Sequence, residues 1–266
     1  MKLDDIGLGR CTIRVALACA MIAMIAGRTE AADCPDHPAA LGTARVLTID
    51  PASTLPVGRK QFPVTLPLAA KEVVLTFDDG PWPGSTDRVL AALRHECVHA
   101  NFFMLGRNAA AHPALARKVL ADGHIVGHHS YSHPLLSHMR LDRAEAEIDR
   151  GIRAVDMALY GEAGSAPKTP FFRFPGFASN AALLQLMARR GIAVFGADLW
   201  ASDWDRMSPG HETSLVLNRL GKAGGGIVLF HDTQSKTATM LPALLRELKA
   251  RDYRVVQVAP VAPAAR

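Results

Sequence analysis

Between residues 71 and 258, seven short apolar runs alternate with segments of helical period, and no other feature narrows the possible folds as far. The runs cover 73–77, 101–105, 124–127, 171–174, 193–197, 227–230 and 254–258, and their length and flanking breakers read as buried strands. Helical period fills 86–95, 113–122, 141–159, 179–190, 213–222 and 239–250, with stop signals such as Asp122-Gly123 and Arg190-Gly191. Strict alternation implies parallel strands joined by crossover helices. The expected class is α/β, an incomplete barrel rather than an open doubly wound sheet. An open doubly wound nucleotide fold would want a glycine-rich loop after the first strand; Asp78-Asp79-Gly80-Pro81 stands there, and an acidic pair repels phosphate.

The ends of the chain set its context. Arg10 and Arg14 precede an apolar run from Val15 to Ala26, and Ala31 and Ala32 follow, so residues 1–31 read as a secretory signal peptide. The run is shorter than the ~20 residues that span a bilayer, and no stable membrane insertion is expected after cleavage. Residues 1–31 hold four basic and three acidic side chains, so their removal takes the net charge only from +5 to +4. No nucleic-acid partner is expected. Residues 32–70, rich in Pro, Ala and Thr, form an N-terminal extension, and 71–266 the main domain. The mature chain keeps Cys34 and Cys97; export permits a disulfide between them, and spacing leaves the pairing open.

Unusual polar residues collect at the carboxyl ends of the expected strands, the face where an α/β barrel gathers its active site. Asp78 and Asp79 follow the first strand, His129 and His133 the third, Arg173 lies at the fourth, Asp198 and Asp203 follow the fifth, and His231 ends the sixth. His129 and His133 stand four apart, which on a helical turn puts both imidazoles on one side. With Asp79 they make a three-ligand set that leaves coordination positions open, as a catalytic zinc site requires. Asp78 is then free to act as general base. Arg173, in the apolar string 171–175, needs a carboxylate partner, and Asp78 is the natural one. His231 is expected to be the general acid, oriented by Asp203 or Asp198. Trp82, Trp200 and Trp204 fall in the same loops, where indole faces can line a sugar groove; core filling is the simpler role for Trp200.

Five motifs in order, Thr76-Phe77-Asp78-Asp79-Gly80, His129-Ser130-x-x-His133, Arg173-x-Pro175, Asp203-Trp204 and Leu229-x-His231, resemble the NodB-like polysaccharide deacetylases, carbohydrate esterase family 4. The resemblance runs from about residue 71 to 258. It implies a distorted (β/α)7 barrel and removal of N-acetyl groups from N-acetylglucosamine-containing glycans, chitin oligomers or peptidoglycan, with one divalent metal ion, usually zinc. It also implies that Leu229 and Trp204 wall the acetyl pocket, and that the backbone amide of Gly176 or of Phe177 binds the oxyanion. Trp200 replaces the aspartate that the family places three residues before Asp203, which leaves Asp198 as a possible substitute. Rival expectations are an esterase or non-sugar amidase using the same metal site, and a catalytically silent glycan-binding protein.

Overall fold

A computed structural model describes residue 34 and residues 37–261. The signal peptide expected over 1–31 lies outside the described residues. In chain order the strands are β1 (Thr43–Ile49), β2 (Glu72–Asp78), β3 (Asn101–Met104), β4 (Ile125–His128), β5 (Phe171–Phe172), β6 (Ala193–Val194), β7 (Leu199–Trp200), β8 (Gly226–His231) and β9 (Arg254–Pro260). The helices are α1 (Ser85–His95), α2 (Gly106–Ala111), α3 (Pro113–Ala121), α4 (Leu141–Tyr160), α5 (Ala181–Arg189), α6 (Pro209–Ala223) and α7 (Ser235–Ala250). Among the described residues no helix is long and apolar enough to cross a membrane.

Every strand pairing is parallel. Seven strands, ordered β6-β5-β4-β3-β2-β8-β7, curl into the distorted barrel, while β9 joins the amino end of β2 and carries β1 on its other edge. The central strand β2 is buried along its whole length. Its Phe77 stacks between Phe102 of β3 and Phe230 of β8, with ring centroids 5.0 and 5.4 Å apart. Each such ring contributes roughly 1.5–3 kcal/mol by leaving water, so packing holds the strands that carry the site.

Two features departed from the sequence pattern. Of the expected fifth strand over 193–197 only Ala193–Val194 forms β6, which ends before Gly196, where a Cβ would meet the Gln61 side chain at 2.4 Å, and a separate short strand, β7, follows at Leu199–Trp200. The N-terminal extension, whose periodicity is weak, supplies β1 and also closes the seam between β6 and β7. Val57 bridges Phe195, Gly196 donates to the Val57 carbonyl, and Gln61 Oε1 accepts from the Ala197 amide at 2.8 Å. A disulfide between Cys34 and Cys97, Cα atoms 5.9 Å apart, ties the start of the extension to the end of α1.

Candidate active site

Parallel strands deliver Asp78, His128 and His231 to one end of the barrel, since Phe103 pairs with Asp78, Gly127 with Phe103, and His231 with Asp78. The loops that follow bring the remaining polar groups together. Asp79 Oδ1 lies 3.6 Å from His129 Nε2 and 3.6 Å from His133 Nε2. That oxygen is buried and has no hydrogen-bond partner, which is costly unless a cation completes it. His129 Nδ1 donates to the Arg173 carbonyl at 2.7 Å, so its Nε2 lone pair faces Asp79. Burial holds the His129 pKa down at about 3, keeping the imidazole in the neutral form that binds metals. Two imidazoles and one carboxylate fit a zinc-type ion.

The histidines do not sit on a helical turn, as their spacing had suggested. Ser130 and His133 have φ of 65° and 70°, and the Ser130 hydroxyl accepts from the His133 amide at 3.1 Å. This irregular loop still brings the two rings to a centroid separation of 5.2 Å. Asp79 is likewise left-handed, with φ 76°, and its carbonyl is held by Asn108 Nδ2 at 2.7 Å. Such backbone costs of order 1–3 kcal/mol per residue and persists only where surrounding contacts over-determine it.

Arg173 is fully buried. Its guanidinium donates to Asp78 Oδ1 (2.7 Å), the Thr76 hydroxyl (2.8 Å), and the carbonyls of Gly196 (2.8 Å) and Phe195 (3.3 Å). The other carboxylate oxygen, Asp78 Oδ2, points to the ligand cluster, 3.7 Å from His129 Nε2. Burial pushes the Asp78 pKa up, against the pull of Arg173 and of His231. On the opposite wall, Asp203 accepts from the His231 amide (2.6 Å), from His231 Nδ1 (2.8 Å) and from the Thr237 hydroxyl (2.8 Å). Burial disfavours the imidazolium, but the Asp203 hydrogen bond and charge, aided by Asp78 and Asp79, outweigh it and raise the His231 pKa to about 9.

A cavity of about 310 Å³ joins these groups, walled by Phe174, Gly176, Phe177, Trp200, Trp204 and Leu229. Trp200 is therefore part of the wall rather than core filling: it stacks near-parallel to Phe177, and Trp204 meets His231 edge-on at 5.7 Å. Trp82, about half exposed, lines an adjoining cavity that also reaches Asp79 and His133. Asp198 is not at the site. It precedes β7, where it accepts from the Ile227 and Arg59 amides and from Thr65, at the amino end of β8. The strand break at Gly196 moved it to the wrong face, and it can neither orient His231 nor stand in for the family's missing aspartate.

Two buried carboxyl groups had gone unnoticed in the sequence. Asp232 is fully buried with Oδ2 on the Thr86 hydroxyl at 2.6 Å, and burial, with Asp79 nearby, lifts its pKa to about 7. A Cβ at Gly80 would lie 2.1 Å from that oxygen, so only glycine fits. Its place beside His231 was the available signal. Glu212 on α6 reaches Thr237 behind the Asp203–His231 pair, its pKa raised to about 7 by burial and by Asp203; nothing in its local sequence marks it.

Asp79, His129 and His133 at this end of the barrel form a group that could hold a metal ion, and comparisons with known proteins give the family. The model for the polysaccharide deacetylase family matches residues 66–195. Listeria monocytogenes peptidoglycan-N-acetylglucosamine deacetylase PgdA is 34% identical over 188 residues, 71% of this chain and 38% of that protein. Colletotrichum lindemuthianum chitin deacetylase is 32% identical over 220 residues, covering 76% of this chain and 86% of that protein. Among solved structures, a peptidoglycan deacetylase of Bdellovibrio bacteriovorus superposes with a TM-score of 0.72 at 33% identity, over 83% of this chain and 60% of that one. The chain belongs to the polysaccharide deacetylase family, the NodB-like carbohydrate esterases of family 4. It spans little more than a third of the length of the Listeria protein.

Proposed function

We propose that this chain is exported through residues 1–31 and works as a metal-dependent deacetylase of N-acetylglucosamine-containing glycans, peptidoglycan or chitin oligomers. The observation that carries the reading is the cluster of Asp79, His129 and His133 around one partnerless carboxylate oxygen, with Asp78 beside it on Arg173. Asp79, His129 and His133 would hold the ion. When bound, a divalent cation such as zinc supplies Lewis acidity toward the amide carbonyl and toward water.

The side chains divide the remaining work. Asp78 accepts the proton of the attacking water at Oδ2, the oxygen that Arg173 leaves free. The Gly176 amide donates to the developing oxyanion: the Phe177 amide is already engaged by the Phe174 carbonyl at 2.8 Å, so of the two candidates Gly176 is the available donor. His231 gives a proton from Nε2 to the departing amine, since Nδ1 is engaged by Asp203. Leu229 and Trp204 enclose the acetyl methyl, and Trp82 offers a stacking face to the neighbouring sugar.

Acetate release from chitin oligomers and from peptidoglycan, measured before and after chelation and after zinc is restored, tests the reading. Release should vanish with the metal and return with it. Asp78→Asn should lower turnover by about 10²–10⁴-fold, the usual worth of a general base, while metal analysis still finds the ion. Full activity in the chelated enzyme or in that variant would end the proposal.

A further inference from the structure

We propose that His37, His95 and Glu96 form a second divalent-cation site, which clasps the segment before β1 to the end of α1. Each residue offers one ligand atom, and the three atoms lie within 4.8 Å of one another. The cluster is remote from the acetyl pocket. The helix α1 starts just beyond the Asp79 loop, and its 11 residues carry the chain about 16 Å toward the other end of the barrel.

Three details mark these groups as a ligand set. His37 Nδ1 donates to the His95 carbonyl at 2.9 Å, which leaves Nε2 as its lone-pair nitrogen, the same arrangement that His129 adopts on the Arg173 carbonyl. His95 Nδ1 and Glu96 Oε1 are 3.2 Å apart. Bonds of about 2.0–2.2 Å to a tetrahedral ion place neighbouring donors roughly 3.3 Å from each other, so an ion can replace the shared proton with little movement. Glu96 Oε2 is fixed by the Leu41 amide at 3.0 Å, holding the carboxylate in one orientation.

The surroundings favour a cation and bring the ligands together in advance. His95 and Glu96 lie at the carboxyl terminus of α1, where the unpaired carbonyls carry partial negative charge. The Cys34–Cys97 disulfide joins the two segments, with Cys97 next to Glu96. This covalent link removes much of the entropy cost of assembling ligands separated by 58 residues. Arg246 borders the hollow beside His95 and Glu96 and offsets the charge of the helix end, so affinity comes mainly from coordination. That selects imidazole-seeking ions, zinc, copper(II) or nickel, over magnesium or calcium.

Zinc titration by calorimetry, on the chelated protein with its disulfide intact, tests the site. The unaltered chain should take up two ions. His95→Ala, a change at a largely exposed side chain, should take up one and still release acetate from glycan; His129→Ala with His133→Ala should also take up one, and lose activity. In that double variant, copper(II) should give an electron paramagnetic resonance spectrum split by two nitrogens, and adding His95→Ala should reduce the splitting to one. Uptake by His95→Ala equal to that of the unaltered chain, whether one ion or two, overturns the proposal. Failure of the catalytic metal reading would show instead in the His129 and His133 variant, so the two readings fall separately.

Discussion

The Arg173 carbonyl accepts a hydrogen bond from His129 Nδ1 at 2.7 Å, while the guanidinium of the same residue donates to Asp78 at 2.7 Å. One residue at the end of β5 therefore orients both a candidate metal ligand and the candidate base. Its side chain has no water to fall back on, because four protein acceptors and the Phe103 ring, 4.3 Å away, surround it.

Arg173→Met should leave Asp78 buried without its counter-ion. Breaking a buried pair from one side costs about 3–5 kcal/mol. Urea denaturation should show a loss of that order, and Arg173→Lys should recover only part of it, since an ammonium cannot reach the same set of acceptors.

Asp203→Asn should move the alkaline limb of the kcat/KM profile to lower pH. In the role proposed for it His231 acts in its protonated form, and Asp203 is the main group that raises its pKa to about 9. The pair also contributes to folding, with a sign set by that raised value: its stabilisation is complete below the ordinary histidine pKa near 6.5 and fades as pH climbs through 9. In chelated protein, the gap in melting temperature between native and Asp203→Asn chains should be widest at pH 6 and narrow by pH 9.5. A gap that widens with pH would contradict the assignment.

Gly80→Ala should weaken metal binding without touching a ligand. The added methyl meets Asp232 Oδ2 at 2.1 Å, so the loop carrying Asp79 must shift. Displaced supporting groups typically cost 10–100-fold in metal affinity, and about that loss is expected in a zinc titration. Shortening the obstacle, in Gly80→Ala with Asp232→Ser, should restore part of it.

Cys34→Ser should lower stability through the unfolded state. The disulfide closes a loop with a sequence separation of 63, worth about 4 kcal/mol in the chain-entropy treatment. Calorimetric melting of oxidised, reduced and Cys34→Ser chains should group the last two together, below the first.

Much of this protein could be read from its residues alone. Apolar runs such as Val73–Phe77 have the length of buried strands, and the polar residues that follow them meet at one end of the sheet, so the strand succession and the gathering of Asp78, Asp79, His129 and His133 were legible. What escaped had no local signature. The two-residue β7 is set by pairing with β8 rather than by its own pattern, and that pairing sends Asp198 to the far end while keeping Asp203 at His231. The left-handed loop that joins His129 to His133 is imposed by the Ser130 hydroxyl and its neighbours, and Asp232 and Glu212 become unusual only when packing strips them of water. Periodicity and residue type reside in the chain itself; register, desolvation and the closing of Cys34 onto Cys97 exist only once distant segments meet.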